Sequence, residues 1–155
     1  MVAPPPLGPE DHVRGEGVET IVYADLCCPR CAAVWPLLGA LEARLAFRHF
    51  PLASRHPRSP ALHAAAEAAG AQGAFFEMVD SLLADPARID DPHLWWRAER
   101  LGLDLERFEA ERRSAAVAAR VRRDLESGVG AGVSDTLAIF RDGRAVGLET
   151  LERDG

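Results

Sequence analysis

The chain has 155 residues, of which 48% are hydrophobic and 27% are charged, and its formal net charge is −6. This length predicts a single domain, and the negative charge argues against a nucleic-acid-binding surface. No apolar stretch approaches the ~20 residues that a membrane-spanning helix needs, so we expect no membrane insertion. The first residues lack the basic region and apolar core of a secretory signal, which predicts a cytoplasmic protein unless a signal lies outside this sequence.

The first third of the chain predicts a strand, a helix and a second strand. Residues 1–17 are rich in proline and glycine and are expected to form an extended lead-in, followed by one domain over 18–155. The β-branched and aromatic run at 18–24 predicts a strand, and the apolar stripe over 29–44 predicts a helix. Alternation at 45–50 predicts a second strand, which a helical connection would place parallel to the first.

The rest of the chain predicts a helical insertion and a final hairpin. Apolar residues recur at helical spacing from about residue 60 to 127. Two short strand-like runs follow, 136–140 and 145–148, and the Asp-Gly pair between them is typical of a hairpin turn. This order predicts an α/β fold whose sheet mixes parallel and antiparallel strands.

The stretch Cys27-Cys28-Pro29-Arg30-Cys31 lies where the first strand gives way to the first helix. Free backbone N–H groups and the helix dipole stabilise a thiolate at such a position, and Arg30 adds positive charge. A C-x-x-C pair placed this way predicts thiol redox chemistry. A zinc site, which usually needs four ligands, and an inert pair of cysteines are the alternatives.

Residues from about 11 to 150 resemble the DsbA-like branch of the thioredoxin superfamily, whose members carry a helical insertion. In particular the chain resembles the thioredoxin-like domains that occur alone or fused to bacterial sodium/proton antiporters. The matching stretches are Asp11 to Gly15, the D-x-x-C-P-x-C of Asp25 to Cys31, Phe47 to Leu52, His56-Pro57, Ala65 to Gly73, Phe76 to Met78, Gly132-Val133, Thr136, and Phe140 to Gly143.

The resemblance implies a thioredoxin fold and a thiol–disulfide oxidoreductase without a cofactor or a metal. By it, Cys28 is the attacking thiol and Cys31 the resolving thiol, and protein thiols or disulfides are the partners. It implies that Pro29 and Arg30 tune the redox potential and face the substrate. It also implies that Thr136 and Leu137 form the loop that faces the active site and binds the substrate.

Two residues depart from the family's pattern. The family has a proline with a cis peptide bond where this chain has Leu137, and a buried acid where it has Val22. Because a cis bond before a non-proline residue costs about 3–4 kcal/mol, we expect a trans bond between Thr136 and Leu137 and a re-routed loop. Slow exchange with protein substrates is therefore expected.

Asp25 and Cys27 are possible modulators of the redox pair. Asp25 is expected to be a capping or turn residue, and the alternative is that it partly replaces the missing acid. Cys27 is expected to be a small half-buried apolar residue, and the alternative is a third redox or metal ligand.

Two further function classes stay open at this point. One is a redox-degenerate binding module, and the other is a metal-binding protein with thiolates from Cys27, Cys28 and Cys31. The remaining candidates are expected to be structural, packed or exposed: the histidines His12, His49, His56, His63 and His93, and Trp95 and Trp96 as core and rim of the insertion.

Overall fold

The computed structural model describes residues 1–154, and side chains through residue 153. The strands are β1 His12–Arg14, β2 Val18–Ala24, β3 Ala43–His49, β4 Ala138–Arg141 and β5 Arg144–Val146. The helices are α1 Pro29–Gly39, α2 Ser59–Gly70, α3 Phe75–Ala84, α4 Asp91–Arg100, α5 Leu105–Arg112, α6 Ala115–Gly130 and α7 Leu148–Asp154. Within residues 1–154, no helix combines the length and the apolar character needed to cross a membrane.

The described residues form a sheet with the strand order β1-β3-β2-β4-β5. β2 and β3 are parallel, as the strand–helix–strand pattern predicts, with Val18 opposite Ala43. β4 runs antiparallel to β2 and to β5, so the mixed sheet expected from the sequence is confirmed. Five helices, α2 to α6, lie between β3 and β4 in the chain.

The first helix and the second predicted strand differ from the sequence-based expectation in their boundaries. α1 ends at Gly39 rather than at residue 44, and β3 begins at Ala43 rather than at 45. The reason is the parallel pairing with β2, which extends to Ala43 and draws residues 43 and 44 into the sheet. The lead-in also contributes an edge strand, β1, which pairs antiparallel with β3.

The sheet has an apolar layer on each face. Val22, Phe47 and Ile139 belong to the larger cluster, which also contains buried apolar residues of α1 to α5. Tyr23 and Phe140 belong to a smaller cluster on the opposite face. The alternation of neighbouring residues between the two clusters follows from the two-residue side-chain period of a strand.

Helix α6 packs closely against the smaller cluster. A Cβ at Gly128 would lie 2.8 Å from Phe50 Cδ2 and 2.9 Å from Tyr23 Cδ1. The tyrosine hydroxyl forms a 2.8 Å hydrogen bond with Ser127 Oγ in the same helix. A glycine at 128 therefore allows the approach that anchors α6 to the end of the sheet.

The expectation that the two adjacent tryptophans divide into core and rim is wrong. Trp95 is 41% exposed and Trp96 is 43% exposed. α4 buries Leu94 and Ala98, which are one helical turn apart and face the core together. Residues 95 and 96 project away from that stripe, and the Arg100 guanidinium lies 4.7 Å from the ring centroid of Trp96.

Candidate active site

The C-x-x-C pair lies at the N-terminus of α1, directly after β2. Cys28 is the N-cap residue in an extended conformation, and Pro29 begins the helix, where a missing N–H costs nothing. Cys28 is half-buried, whereas Cys31 is 1% exposed. The two cysteines lie 3.5 Å apart and are both free thiols. An accessible sulfur at a helix N-terminus thus lies within reach of a buried one.

The neighbours of Cys28 are weak acids. Burial raises the pKa of the Cys31 thiol to about 12, although the Asp25 backbone and the nearby Thr136 side chain act in the opposite direction. Burial and the Asp25 carboxylate raise the pKa of the Cys27 thiol to about 11. Both thiols are therefore protonated at neutral pH, which leaves Cys28 as the sulfur suited to make the first attack.

Pro29 and Arg30 are exposed on the first turn of α1, beside Cys28. Thr136 is buried and its side chain contacts the Cys31 thiol. Leu137 is half-buried and packs against the larger apolar cluster, as Cys28 does. The structure thus brings these predicted site residues to one end of the sheet.

The expectation of a trans bond and a re-routed loop at Leu137 is wrong, because the peptide bond between Thr136 and Leu137 is cis. Both flanks of this bond are fixed. The backbone N–H of Thr136 donates to Asp135 Oδ1 at 2.8 Å, and β4 begins at Ala138 opposite Tyr23. The leucine side chain is held against the apolar cluster next to the cysteines. The cis backbone that the family has at its proline is therefore present with leucine at this position.

Asp25 is fully buried and holds three segments together, which is more than the capping or turn role expected of it. Its Oδ1 accepts hydrogen bonds from the backbone N–H of Cys27 at 3.0 Å and from the hydroxyl of Ser59 at 2.6 Å. Its Oδ2 accepts from the backbone N–H of Leu52 at 3.0 Å. Burial opposes ionisation, but the hydrogen bonds from His63, Ser59 and Cys27 lower the pKa of Asp25 to about 2.

The ionised state of Asp25 limits its use as a substitute for the missing acid. Val22, at the family's acid position, is fully buried among apolar residues. The carboxylate of Asp25 is directed to backbone and hydroxyl donors, and it is the Asp25 backbone that contacts the Cys31 thiol. Asp25 therefore fixes the loop that carries Cys27 and leads into α1.

A buried polar chain that sequence reasoning missed starts at His63. The backbone N–H of Leu26 donates to His63 Nε2 at 3.1 Å, and His63 Nδ1 lies 2.6 Å from His49 Nδ1. His49 Nε2 lies 3.1 Å from Glu67 Oε1, and His12 Nε2 lies 2.8 Å from Glu67 Oε2. Burial opposes the ionised form of Glu67, but hydrogen bonds from both histidines hold its pKa far below its usual range.

One sequence signal points to this buried series of hydrogen-bonded side chains. His63 and Glu67 are four residues apart on an otherwise alanine-rich helix, so they share one face of α2. The face is fully buried, and a buried polar pair requires polar partners from elsewhere in the fold. The partners, His49 at the end of β3 and His12 in β1, could not be paired with them before the strand order was known.

The comparison with solved structures decides the fold. A thioredoxin-like oxidoreductase from Silicibacter pomeroyi aligns with a TM-score of 0.83 and 20% identity over 95% of this chain and 91% of that one. BdbD from Bacillus subtilis aligns with a TM-score of 0.79 and 15% identity over 99% of this chain and 97% of that one. Wolbachia pipientis alpha-DsbA1 aligns with a TM-score of 0.75 and 19% identity over 88% of this chain and 76% of that one.

The chain has the DsbA-like thioredoxin fold. β2, β3, β4 and β5 lie in one sheet with β1, and the helices α2 to α6 lie between β3 and β4 in the chain. The fold class expected from the sequence is therefore confirmed.

The sequence relatives of this chain are longer proteins, and the chain matches one segment of each. The Na(+)/H(+) antiporter NhaA 1 of Salinispora arenicola is 40% identical over 148 residues, which cover 90% of this chain and 23% of the antiporter. The Na(+)/H(+) antiporter NhaA of Herminiimonas arsenicoxydans is 40% identical over 154 residues, 93% of this chain and 24% of that protein. The chain thus spans about a quarter of the length of these relatives, and no family model matches it.

Proposed function

We propose that the protein is a thiol–disulfide oxidoreductase that exchanges disulfides with protein substrates through Cys28 and Cys31. The observation that carries this proposal is the half-buried Cys28 at the N-terminus of α1, 3.5 Å from the buried Cys31. Proteins with the same fold are named thioredoxin-like oxidoreductases and thiol-disulfide exchange proteins, which supports this reaction type.

The reaction proceeds in two exchange steps. The Cys28 thiolate attacks one sulfur of a substrate disulfide, so a Cys28–substrate bond forms as the substrate bond breaks and one substrate thiolate leaves. Cys31 then loses its proton and attacks the Cys28 sulfur, which forms the Cys28–Cys31 disulfide and releases the second substrate thiolate. The substrate gains two electrons and two protons, and the protein loses them. The reverse sequence oxidises a substrate dithiol.

The surroundings support proposed roles for the other predicted site residues. Pro29 and Arg30 are exposed beside the attacking sulfur and contact the substrate. Thr136 stabilises the charge that develops on Cys31 when it resolves the mixed disulfide, because its buried hydroxyl lies near that thiol and forms no hydrogen bond elsewhere within residues 1–154. Leu137 presents the cis-bonded loop and covers the sulfurs with an apolar side chain.

We expect slow turnover, and the reason lies in the second step. Cys31 must lose a proton although burial raises its pKa to about 12. The family's buried acid is replaced by Val22. The Asp25 carboxylate accepts hydrogen bonds from Cys27, Leu52 and Ser59, so it is not directed at the Cys31 thiol.

Reduction of insulin by dithiothreitol, followed by precipitation of the freed B chain, tests the proposal. The unmodified protein is expected to accelerate precipitation, Cys28→Ser to lose all acceleration, and Cys31→Ser to accumulate mixed disulfides. Cys27→Ser is the matched control, because it removes the adjacent thiol and is expected to retain the activity. Equal rates with and without the unmodified protein would favour a binding module that keeps the fold without turnover.

A metal site formed by the three cysteines receives no support from the geometry. Within residues 1–154, one group of three histidine, cysteine or carboxylate ligand atoms lies within 4.8 Å of one another. That group contains none of Cys27, Cys28 and Cys31.

A further inference from the structure

That group of three ligand atoms is formed by His12, His49 and Glu67, which come from three different elements. His12 lies in β1, His49 ends β3 and Glu67 lies in α2. Their ligand atoms all lie within 4.8 Å of one another. The residues are separated by up to 55 positions in the chain, so the fold itself assembles the group.

The spacing of these atoms is close to that of a metal site. His12 Nε2 lies 2.8 Å from Glu67 Oε2, and His49 Nε2 lies 3.1 Å from Glu67 Oε1. A tetrahedral ion with nitrogen and oxygen ligands at 2.0–2.2 Å places those ligands about 3.3 Å apart. Small outward shifts of the side chains would therefore admit an ion between them.

Two of the three groups are held rigidly. The His49 ring is fully buried, in edge contact with Phe47 and Phe75. The His12 ring stacks on Phe75 with 3.5 Å between centroids and 6° between planes. His12 is 22% exposed on its side chain, so one side of the group is open to solvent. That opening gives an ion an entry path and a position for water.

Further hydrogen bonds from other residues support His49 as a ligand. A metal-bound histidine usually donates its second ring N–H to another polar group. His49 Nδ1 lies 2.6 Å from His63 Nδ1, and His63 Nε2 lies 3.4 Å from Asp25 Oδ1. With a metal on His49 Nε2, the His49 Nδ1–H donates to His63 Nδ1, and the proton of His63 then lies on Nε2, towards the Asp25 carboxylate. That arrangement gives up the hydrogen bond that the backbone N–H of Leu26 donates to His63 Nε2, and no histidine becomes charged.

One nearby cation opposes metal binding. Arg120 Nε lies 3.6 Å from Glu67 Oε1. The same guanidinium is paired with the Asp124 carboxylate and donates to the backbone carbonyl of Glu10 at 2.9 Å. Because the Asp124 carboxylate offsets the charge of Arg120, the negative charge of Glu67 stays available to an ion.

We propose that His12, His49 and Glu67 form a binding site for a divalent transition-metal ion of the kind that prefers imidazole and carboxylate ligands, such as Zn²⁺. The site is separate from the thiols and independent of the proposed exchange reaction. It connects to the C-x-x-C loop through His63 and Asp25.

Calorimetric titration with Zn²⁺ tests the site, using a chain in which Cys27, Cys28 and Cys31 are all changed to serine so that thiolates cannot bind the ion. We expect one ion per chain. His12→Asn and Glu67→Gln are each expected to weaken binding at least tenfold. His93→Asn is the matched control, because His93 pairs with Asp90 outside the group and its loss should leave the affinity unchanged.

Two further readouts keep the test decisive. Circular dichroism of each metal-free variant identifies any that fails to fold. His12→Asn changes a partly exposed residue of the edge strand, so we expect it to disturb folding least. Co²⁺ added to the unmodified protein should give visible bands of nitrogen and oxygen coordination that persist in the serine variant. No saturable Zn²⁺ binding, or equal binding in folded His12→Asn and His93→Asn, would overturn the proposal and leave the group as a hydrogen-bonded ion pair.

Discussion

Individual residues decide which sulfur reacts. Cys31 is buried with a pKa raised to about 12, and Cys27 has a pKa raised to about 11 by burial and by the Asp25 carboxylate. Since the thiolate is the nucleophile, both react slowly at neutral pH. We expect iodoacetamide at pH 7 to label Cys28 first, as measured by peptide mass mapping over time. Faster labelling of Cys31 would contradict the assignment of the attacking thiol.

The stability of the protein in acid depends on Asp25. Its pKa is about 2 in the folded protein against an ordinary value of 3.8. A lowered pKa contributes stability that is present above about pH 4 and is lost as the pH falls towards 2. The contribution is about 2 kcal/mol, because one pKa unit corresponds to about 1.4 kcal/mol.

Asp25→Asn isolates that contribution. Urea unfolding at pH 5, 3 and 2 should show the variant to be less stable at pH 5, by about 2 kcal/mol or more, because the loop loses an ionised acceptor. The difference from the unmodified protein should narrow between pH 4 and 2, because the contribution of Asp25 is lost over this range. The other carboxylates titrate in both proteins and do not change the difference. A difference that stays constant over this range would show that Asp25 is not ionised in the fold.

Leucine at position 137 shows the limit of reasoning from one residue type. The intrinsic preference for a trans bond predicted the opposite of the observed cis bond between Thr136 and Leu137. The histidines show the same limit. Their types gave no reason to connect them, and the connection depends on partners from three elements.

Elements were predictable where the periodicity was strong. β2 has the predicted bounds, and its parallel partner β3 was expected from the helical connection. β1 was missed because three residues are too short to show alternation. Its two glycine neighbours, Gly15 and Gly17, adopt positive φ angles of 81° and 131°, which mark the turn that leads from β1 to β2.

The attachment of α6 to the sheet depends on one glycine. Because a Cβ at Gly128 would lie 2.8–2.9 Å from the rings of Phe50 and Tyr23, Gly128→Ala should destabilise the protein by about 1–3 kcal/mol through overpacking. Gly130→Ala is the matched control in the same helix, where a Cβ meets nothing within 4 Å. The control should be neutral or more stable by up to about 1 kcal/mol. Equal urea midpoints for the two variants would mean that α6 is not packed as described.

The whole molecule brings the two halves of the site together through the sheet. β2 runs towards the C-x-x-C, and β4 starts immediately after Thr136 and Leu137. Because β2 and β4 are antiparallel neighbours with Tyr23 opposite Ala138, the end of one and the start of the other lie at the same edge. The C-x-x-C itself identified the chemistry from the sequence, whereas its contact with Thr136 required the strand order.

The exchange reaction requires a reversible two-electron couple between Cys28 and Cys31. Equilibration with mixtures of reduced and oxidised glutathione, followed by disulfide mapping, measures this couple most directly. We predict one reversible transition with the bond between Cys28 and Cys31, and a reduction potential between about −270 mV, typical of a reductase, and about −120 mV, typical of an oxidase. Failure to form that disulfide reversibly, or a disulfide that involves Cys27 instead, would contradict the proposed function.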